Sequence, residues 1–467
     1  MIAASNRVVG VVPLPTEEGL GDLRYQARLL ARQIGMVPEW SEEQFVYSYV
    51  GRRLNRYLQA WETFAEKPLW KGDARVEAFV KAEKFNPLAK RNPDPRMIQL
   101  RHPRYNIKLG VYLRPIEHRL YKLKGPTGLR IIAKGLAPNE RAKLLVQKMR
   151  KFDKPVVISV DGSRWDKHIS PEILKVEHQV YMACNNDPQL RMLLSWQLTN
   201  RVRTRNGVKY TVRGNRMSGD MNTAVGNCLL MVLMVRAYAR KIGLKKWDFF
   251  DDGDDCLLLF EESQEELVQE SLQRVFLSYG QETKIENRAT TPEQVVFCQS
   301  RPVWDGTAWT MTRDWQKCLS QDCSGARKWG TPNLVRGMMG AVGICNLSMC
   351  RGIPILQEWA LACIRNSRGA GIPKSFLDDE EAYLRIKHTT GWTWAETCRR
   401  QEAQPITVAA RFSFHDAWGV DPEQQQHIEE QLREWELSDV FAEERAPEYS
   451  SDWALDLHPE DPIALHI

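Results

Sequence analysis

The sequence predicts a mixed α/β chain of the α+β kind, and three stretches carry that reading. "KPVVISVDGS" is a run of β-branched residues that turns polar at its end, the pattern of a buried strand. "WDFFDDGDDCLLLF" sets two short apolar runs on either side of one glycine, the pattern of a hairpin whose turn is Asp-Asp-Gly-Asp-Asp. "NTAVGNCLLMVLMVRAYARKIG" is long and apolar on every side, so it reads as a buried helix ended near Gly243. With 467 residues the chain exceeds one simple core, and two or three subdomains are expected.

The remaining elements follow in order. Ser41 to Glu66 begins with a Ser-x-x-Gln capping pattern and keeps a helical period, so one helix is expected there. The Pro-rich basic stretch from Asn86 to Pro103 reads as extended loops. Ser170 as N-cap and Pro171 at the first helical position open a further helix. "ESQEELVQESLQRVFLSYG" is an amphipathic helix ended at Gly280. Beyond about Arg301 the pattern is mixed and then mainly helical. The acidic end from about Ala446 has few core-forming residues and is expected to be mobile. There are no internal repeats.

Hydrophobic content of 43% and charged content of 27% are ordinary for a globular protein. No apolar run reaches the roughly 18 residues of a membrane span, and the N-terminus lacks the basic and apolar regions of a signal peptide. Ten scattered cysteines suit a reducing compartment. Cys318 and Cys323 share a spacing with Cys345 and Cys350. No CxxC accompanies them, and His388 and His415 are far away, so zinc is not the favoured reading. The net charge of +6 hides a gradient. Between Lys81 and Lys154 cations such as Lys90, Arg91, Arg104, Lys108, Arg114, Arg119 and Lys134 far outnumber acids, whereas acids dominate after Asp421. The basic block, interleaved with aromatics and prolines, favours a nucleic acid or nucleotide partner over a merely solvated surface.

The aspartates of the hairpin turn repel one another, so their crowding asks for a reason. Asp161 closes the β-branched strand and Asp166 follows one short turn later. Neighbouring strands of one sheet would bring Asp161 beside Asp254. Carboxylates that close are stable when a divalent cation neutralises them. Oxygen-only ligands suit magnesium or manganese, and two such ions about 4 Å apart would clamp an in-line phosphoryl displacement. The bland alternative is an ordinary Asp-Gly turn. In "RGNRMSGDMNTAVGNCLLM" a Gly-rich polar loop carrying Ser218, Gly219, Asn222, Thr223 and Asn227 leads straight into the buried helix. That offers a phosphate or polar ligand a helix N-terminus, or is simply a capped helix start. No GxxxxGK[ST] pattern occurs, which argues against a P-loop NTPase.

The order is then DxxxxD (Asp161, Asp166), SGxxxTxxxN (Ser218, Gly219, Thr223, Asn227) and GDD (Gly253, Asp254, Asp255). This resembles the palm of viral RNA-dependent RNA polymerases. The wording "VDGSRWDKHIS", "RMSGDMNTAVGNCLLM" and "DDGDDCLLLF", with "RMIQLRHPRYNIKLGVYLRPIEHRLY" upstream, is similar to the Tombusviridae and tombus-like positive-strand RNA viruses. The matches run from about Val76 to Ser300.

The resemblance implies a right-hand fold: N-terminal region and fingers over 1–155, palm with a fingers insertion over 156–300, mainly helical thumb over 301–445, and an acidic tail over 446–467. It implies synthesis of RNA from NTPs on a single-stranded RNA template by a two-metal mechanism with Mg2+ or Mn2+. Asp161 and Asp254 would bind the metals, with Asp255 a weaker contributor. Asp166 would pair with Asn227 and Thr223 around the ribose 2'-hydroxyl, in the NTP site that also holds Ser218 and Gly219. Lys84 and Arg96 would contact the triphosphate, with Lys81 and Arg101 as weaker candidates. Lys284, in "GQETKIE", would be the general acid for the leaving pyrophosphate, and "FCQS" (Phe297 to Ser300) would support the nascent RNA. Gly253 and the Asp/Thr/Asn set favour ribonucleotides over the chemistry of reverse transcriptases, so DNA is not an expected partner. A membrane-anchored viral replication protein is the further partner implied, placing the chain on membrane-associated complexes in the host cytoplasm. The family commonly carries such an anchor upstream, and this sequence has none, so either a longer product or a partner supplies it. Two other classes are weighed: a metal-dependent phosphodiesterase, and an RNA-binding replication factor with vestigial carboxylates.

Overall fold

The computed structural model describes residues 2–82, 95–323, 331–371, 386 and 390–437. Two four-stranded sheets organise them. The first joins β1 (Val76–Val80), β2 (Met97–Arg101), β4 (Thr199–Thr204) and β5 (Lys209–Arg213) in the order β2-β1-β4-β5. Its β1–β4 pairing is parallel and the others antiparallel. The second joins β3 (Pro155–Gly162), β6 (Trp247–Asp251), β7 (Asp255–Glu261) and β8 (Thr283–Ala289) in the order β6-β7-β3-β8, antiparallel throughout.

The β-branched run is a central strand because both of its faces are covered. Val156, Ile158 and Val160 enter the largest core, and Val157 enters a second one with Phe250, Leu257 and Leu259. The largest core is built by α2 (Glu17–Ile34), α5 (Pro103–Leu120), α7 (Pro171–Cys184), α8 (Pro188–Ser195), α9 (Thr223–Ile242) and α10 (Glu265–Ser278). It is continuous across the 155/156 boundary. The second core is closed by α6 (Pro138–Met149), through Ala142, Leu145 and Met149. In α9 every residue from Cys228 to Val235 is buried. Each such apolar side chain contributes roughly 1.5–3 kcal/mol, so this helix anchors the second sheet. It ends where expected, at Gly243 in the left-handed region. Ser170 caps α7 with Pro171 in its first turn.

Two expectations change. The single helix over Ser41 to Glu66 is broken into α3 (Glu42–Val46) and α4 (Gly51–Glu62). The Ser41–Gln44 capping box forms, but Phe45, Val46 and Tyr49 all turn into the core, and the chain re-enters the helix after an extended Val50. Over Met97–Arg101 the loop reading gives way to strand β2, paired along its whole length with β1, and at Pro103 to the start of α5; residues 86–94 lie outside the described residues.

The first sheet carries α1 (Ile2–Arg7) on one face: Ala3, Ala4 and Val8 pack with Val76, Ala78, Met97, Val202 and Val212. After β8 come a two-stranded ribbon, β9 (Ser300–Trp304) and β10 (Trp309–Arg313), and then helices over Trp315–Gln321, Pro332–Cys350, Leu356–Asn366, Trp394–Arg399, Val408–Trp418 and Pro422–Glu434. Apart from Trp394–Arg399, these helices pack with Val303 of β9 around Trp359 and Phe414 as a separate core. Among the described residues no helix is long and apolar enough to cross a membrane. Lys84 and the acidic end over 446–467 lie outside the described residues.

Candidate active site

Strand register assembles the site. On one side of β3, Asp161 is paired with Asp255; on the other it is paired with Lys284. Directly paired residues project from the same face, so Asp255, Asp161 and Lys284 form a row across three strands at one end of the sheet. The sequence suggested Asp254 as the neighbour of Asp161. The register puts Asp255 opposite it, with Asp254 one residue earlier in the turn. Asp161 is half-buried, and Asp254, Asp255 and Lys284 are exposed.

The turn divides its aspartates by environment. Asp251 is fully buried; its Oδ1 accepts the Gly253 N–H at 2.7 Å and its Oδ2 makes no hydrogen bond among the described residues. Burial pushes its carboxyl well above the usual range, favouring the neutral form. Asp252 is also desolvated, but Lys134 Nζ at 2.9 Å and Arg141 Nη1 at 2.8 Å outweigh that and hold it below its ordinary value. The thiol of Cys298 also donates to Asp252, at 3.2 Å. Cys298 belongs to a tight turn in which Phe297 and Ser300 exchange backbone hydrogen bonds, so the "FCQS" segment rests on the hairpin. Gly253 takes φ +105°, a conformation other residues rarely adopt. Asp254 and Asp255 remain to face solvent. Desolvation, and then the charges of Asp254, Asp252 and Asp161, push Asp255 up to about 6 although its side chain is exposed.

Beside this row lies a chain of buried polar groups. Asn227 Nδ2 donates to Asp166 Oδ1 at 3.2 Å. The other end of the same amide accepts from Arg216 Nε at 2.9 Å. Arg216 grips both oxygens of Glu177, which also accepts from Tyr181 and from Asn222 Nδ2 at 2.7 Å. Asn222 accepts from Gln197, and Gln197 leads on to Asp220 and Arg101. Arg216 is 1% exposed and Glu177 0%, so the centre of the network lies inside, while Asp166 at its end is only partly buried. Gly253 packs on this assembly: a Cβ there would lie 3.5 Å from that of Asn227. Burial raises Asp166 to about 6, against the pull of Arg216 and Asn227 and with a push from Asp254.

The other polar candidates are engaged elsewhere. Thr223 does not reach toward Asp166; its hydroxyl donates to the Met217 carbonyl at 2.9 Å. Ser218 donates to the Met97 carbonyl at 2.7 Å, and the Gly219 N–H to the Gln99 carbonyl at 3.0 Å. Gly219 has to be glycine here, because a Cβ would collide with Gln99 and Leu100 of β2. This loop is thus sewn to the first sheet. Asn222 is not a side-chain cap of α9; its amide serves the buried network.

The basic block needs correction. Arg101 is 2% exposed, held in an ion pair with Asp220, and donates to Asn200 Oδ1 and the Ala74 carbonyl, both at 2.6 Å, so it is buried away from any triphosphate. Arg104 pairs with Asp73, Lys108 with Glu42, Arg114 with Glu117 and Lys134 with Asp252, while Arg119 donates to the Ile34 and Met36 carbonyls. Much of this charge binds the chain to itself. Arg96 and Lys81 are exposed where β1 and β2 meet, joined by a 2.8 Å backbone hydrogen bond.

Sequence reading missed Glu177, Gln197, Asp220 and Arg216. A signal existed for Glu177: it interrupts the apolar face of α7 in "ILKVEHQVY", a place where an acid needs a partner.

The donors that face solvent are all carboxylate oxygens, the chemistry of a hard divalent cation. Among the described residues no three Asp, Glu, His or Cys side chains close into a group able to hold an ion. Burial and the neighbouring charges of Asp254, Asp252 and Asp161 push the Asp255 carboxyl up, and a divalent cation would relieve that repulsion. The donor set therefore fits such an ion in kind.

Comparison with known proteins decides the family. The model for "Viral RNA dependent RNA polymerase" matches residues 2–440. The chain belongs to the viral RNA dependent RNA polymerase family. Its relatives include the RNA-directed RNA polymerase of Turnip crinkle virus, 35% identical over 428 residues, covering 90% of this chain and 53% of that protein. Those of Maize chlorotic mottle virus and Panicum mosaic virus are 36% and 35% identical, covering 85% and 90% of this chain and 40% and 42% of the relatives. The polymerase-family chain thus spans about half the length of the curated relatives it matches. The likeness to Tombusviridae polymerases stands.

Proposed function

We propose that this chain synthesises RNA from NTPs on a single-stranded RNA template, replicating the genome of a positive-strand RNA virus. One observation carries the reading: the cross-strand row of Asp255, Asp161 and Lys284 lies beside a sugar-reading pair, Asp166 and Asn227, that is locked by buried groups. Asp161, Asp254 and Asp255 would hold Mg2+ or Mn2+, which would neutralise charge at the reacting phosphate. Asp166 and Asn227 hydrogen-bond the ribose 2'-hydroxyl, and a deoxyribose leaves that pair unsatisfied. Lys284 protonates the leaving pyrophosphate from the end of the row. Arg96 and Lys84 are the cations assigned to the triphosphate. A 2'-hydroxyl contact from Thr223 is not included, since its hydroxyl is already engaged.

The chain works on membrane-associated complexes in the host cytoplasm, attached through a further replication protein or through the additional length that its relatives possess. Fractionation of cells expressing the chain with and without that partner tests this. The activity is tested with purified chain, single-stranded RNA, NTPs and divalent metal, resolving labelled product by length. Asp161→Ala or Asp254→Ala lowers incorporation by roughly a thousandfold with the fold intact, since a charge-stabilising group is removed. Near-normal activity in either variant removes the metal assignment. Release of nucleotides without NTP consumption indicates a phosphodiesterase, and RNA binding without incorporation a replication factor.

A further inference from the structure

The first sheet buries one face beneath α1 and leaves the other exposed along β4 and β5. Strand alternation turns Asn200, Val202 and Val212 inward and Thr199, Arg201, Arg203, Lys209, Thr211 and Arg213 outward. Register sets Arg203 opposite Lys209, Arg201 opposite Thr211 and Thr199 opposite Arg213. Arg205 adds a fifth exposed cation at the hairpin turn. No acid occurs between Trp196 and Arg216. Among the described residues none of these five side chains has an ion-pair or hydrogen-bond partner. The carboxylate nearest in register is Glu77, opposite Arg203 on β1.

We propose that the solvent face of the β4–β5 hairpin binds single-stranded RNA outside the site of synthesis. Cations on alternate strand positions stand about 6.8 Å apart, twice the rise per residue, and repel one another when unpaired. A polyanion turns that repulsion into attraction, and releases counterions as it binds. Guanidinium forks suit phosphate oxygens. On the neighbouring strand Phe79, 42% exposed on the same face, gives a base something to stack on. The surface favours RNA over an anionic membrane: every exposed residue from Thr199 to Arg213 is polar or glycine, whereas membrane-surface binding buries apolar side chains. These cations differ from Arg101, Arg104, Lys108, Arg114, Arg119 and Lys134 of the basic block, which are held by acids and carbonyls of the chain itself. The inference rests on the polymerase reading only for the class of nucleic acid.

The test uses the full chain with Arg201→Gln, Arg203→Gln, Lys209→Gln and Arg213→Gln combined, and a control variant with Arg28→Gln, Arg32→Gln and Arg274→Gln. Anisotropy with a labelled unstructured RNA of about 20 nucleotides is measured across a salt series. Each phosphate left without its cation flattens the log–log slope by about 0.7, so the slope of the fourfold variant falls by up to about 2.8 and its affinity at least tenfold near physiological salt. The control variant changes affinity less than threefold, and the fourfold variant keeps its apparent KM for NTPs within twofold on preloaded template. Equal slopes and affinities for wild type and fourfold variant overturn the proposal. So does loss of binding to phosphatidylserine vesicles with RNA binding unchanged, which makes the face a membrane contact. If wild type makes no RNA but its binding still depends on these four cations, the polymerase reading fails and this inference stands.

Discussion

Replacing Arg216 by methionine isolates the buried network from the carboxylates it supports. The guanidinium donates through Nη1 and Nη2 to the two oxygens of Glu177, and through Nε to Asn227 Oδ1 at 2.9 Å. Methionine fills similar volume, so the cavity term is small. What remains is Glu177, 0% exposed, with Tyr181 and Asn222 serving one oxygen and nothing serving the other. Removing one partner of a buried ion pair costs about 3–5 kcal/mol, a large part of the roughly 5–15 kcal/mol that holds a domain folded. Urea unfolding followed by tryptophan fluorescence measures the loss. Adding Glu177→Gln removes the stranded charge, and the double variant recovers half or more of it. A second consequence separates this from bulk destabilisation. Arg216 occupies the oxygen of the Asn227 amide and so keeps its NH2 toward Asp166. Without it the amide is free to turn over, and the preference for NTP over dNTP falls about tenfold, the worth of one buried hydrogen bond. A loss below about 1 kcal/mol, or an unchanged sugar preference at conditions where the variant is folded, refutes the argument.

Two further outcomes follow from the same region. Asp166 titrates near 6 in the fold against about 3.9 unfolded, so its proton stabilises the folded state; the ionised form costs stability above pH 6, and that cost fades as pH falls toward 4. Asp166→Asn in metal-free buffer therefore raises stability at pH 8 by about 1–3 kcal/mol and leaves it unchanged at pH 4, and a gain independent of pH contradicts the assignment. Gly226→Ala, which in an ordinary helix interior stabilises by about 1 kcal/mol, destabilises here because the new Cβ meets the Glu177 carboxylate and Arg216 Nη2; a thermal-melt increase shows that α9 can shift away.

What was legible in the sequence is what depends on neighbours along the chain. The strand ending at Asp161, the hairpin around Gly253 and the capped helices follow from period, turn chemistry and short-range capping, and each forms. The break after Val46 was not visible, because a helical period does not show that Phe45, Val46 and Tyr49 must all reach one core. Partner choice was least legible. Lys134 stands 118 positions from Asp252 and Arg101 119 positions from Asp220, and nothing local says that these cations are internal. Charge counting therefore did not separate the internally paired cations of the block from Lys81 to Lys154 from the exposed ones of the β4–β5 hairpin.

The crowding of aspartates at the turn resolves once each is followed to its surroundings. Burial pushes the Asp251 carboxyl well above its usual range, and its Oδ1 holds the Gly253 N–H. Asp252 keeps its charge but is neutralised by Lys134 and Arg141. The negative field that reaches solvent is then that of Asp254 and Asp255, together with Asp161 across the sheet. Register is what keeps them there. A slip of one residue between β3 and β7 would send Asp255 to the opposite face and drag Leu257 and Leu259 out of their core. Apolar packing along β7 and the clamped inner acids thus oppose the same slip. The residues that look inert fix where the reactive carboxylates stand.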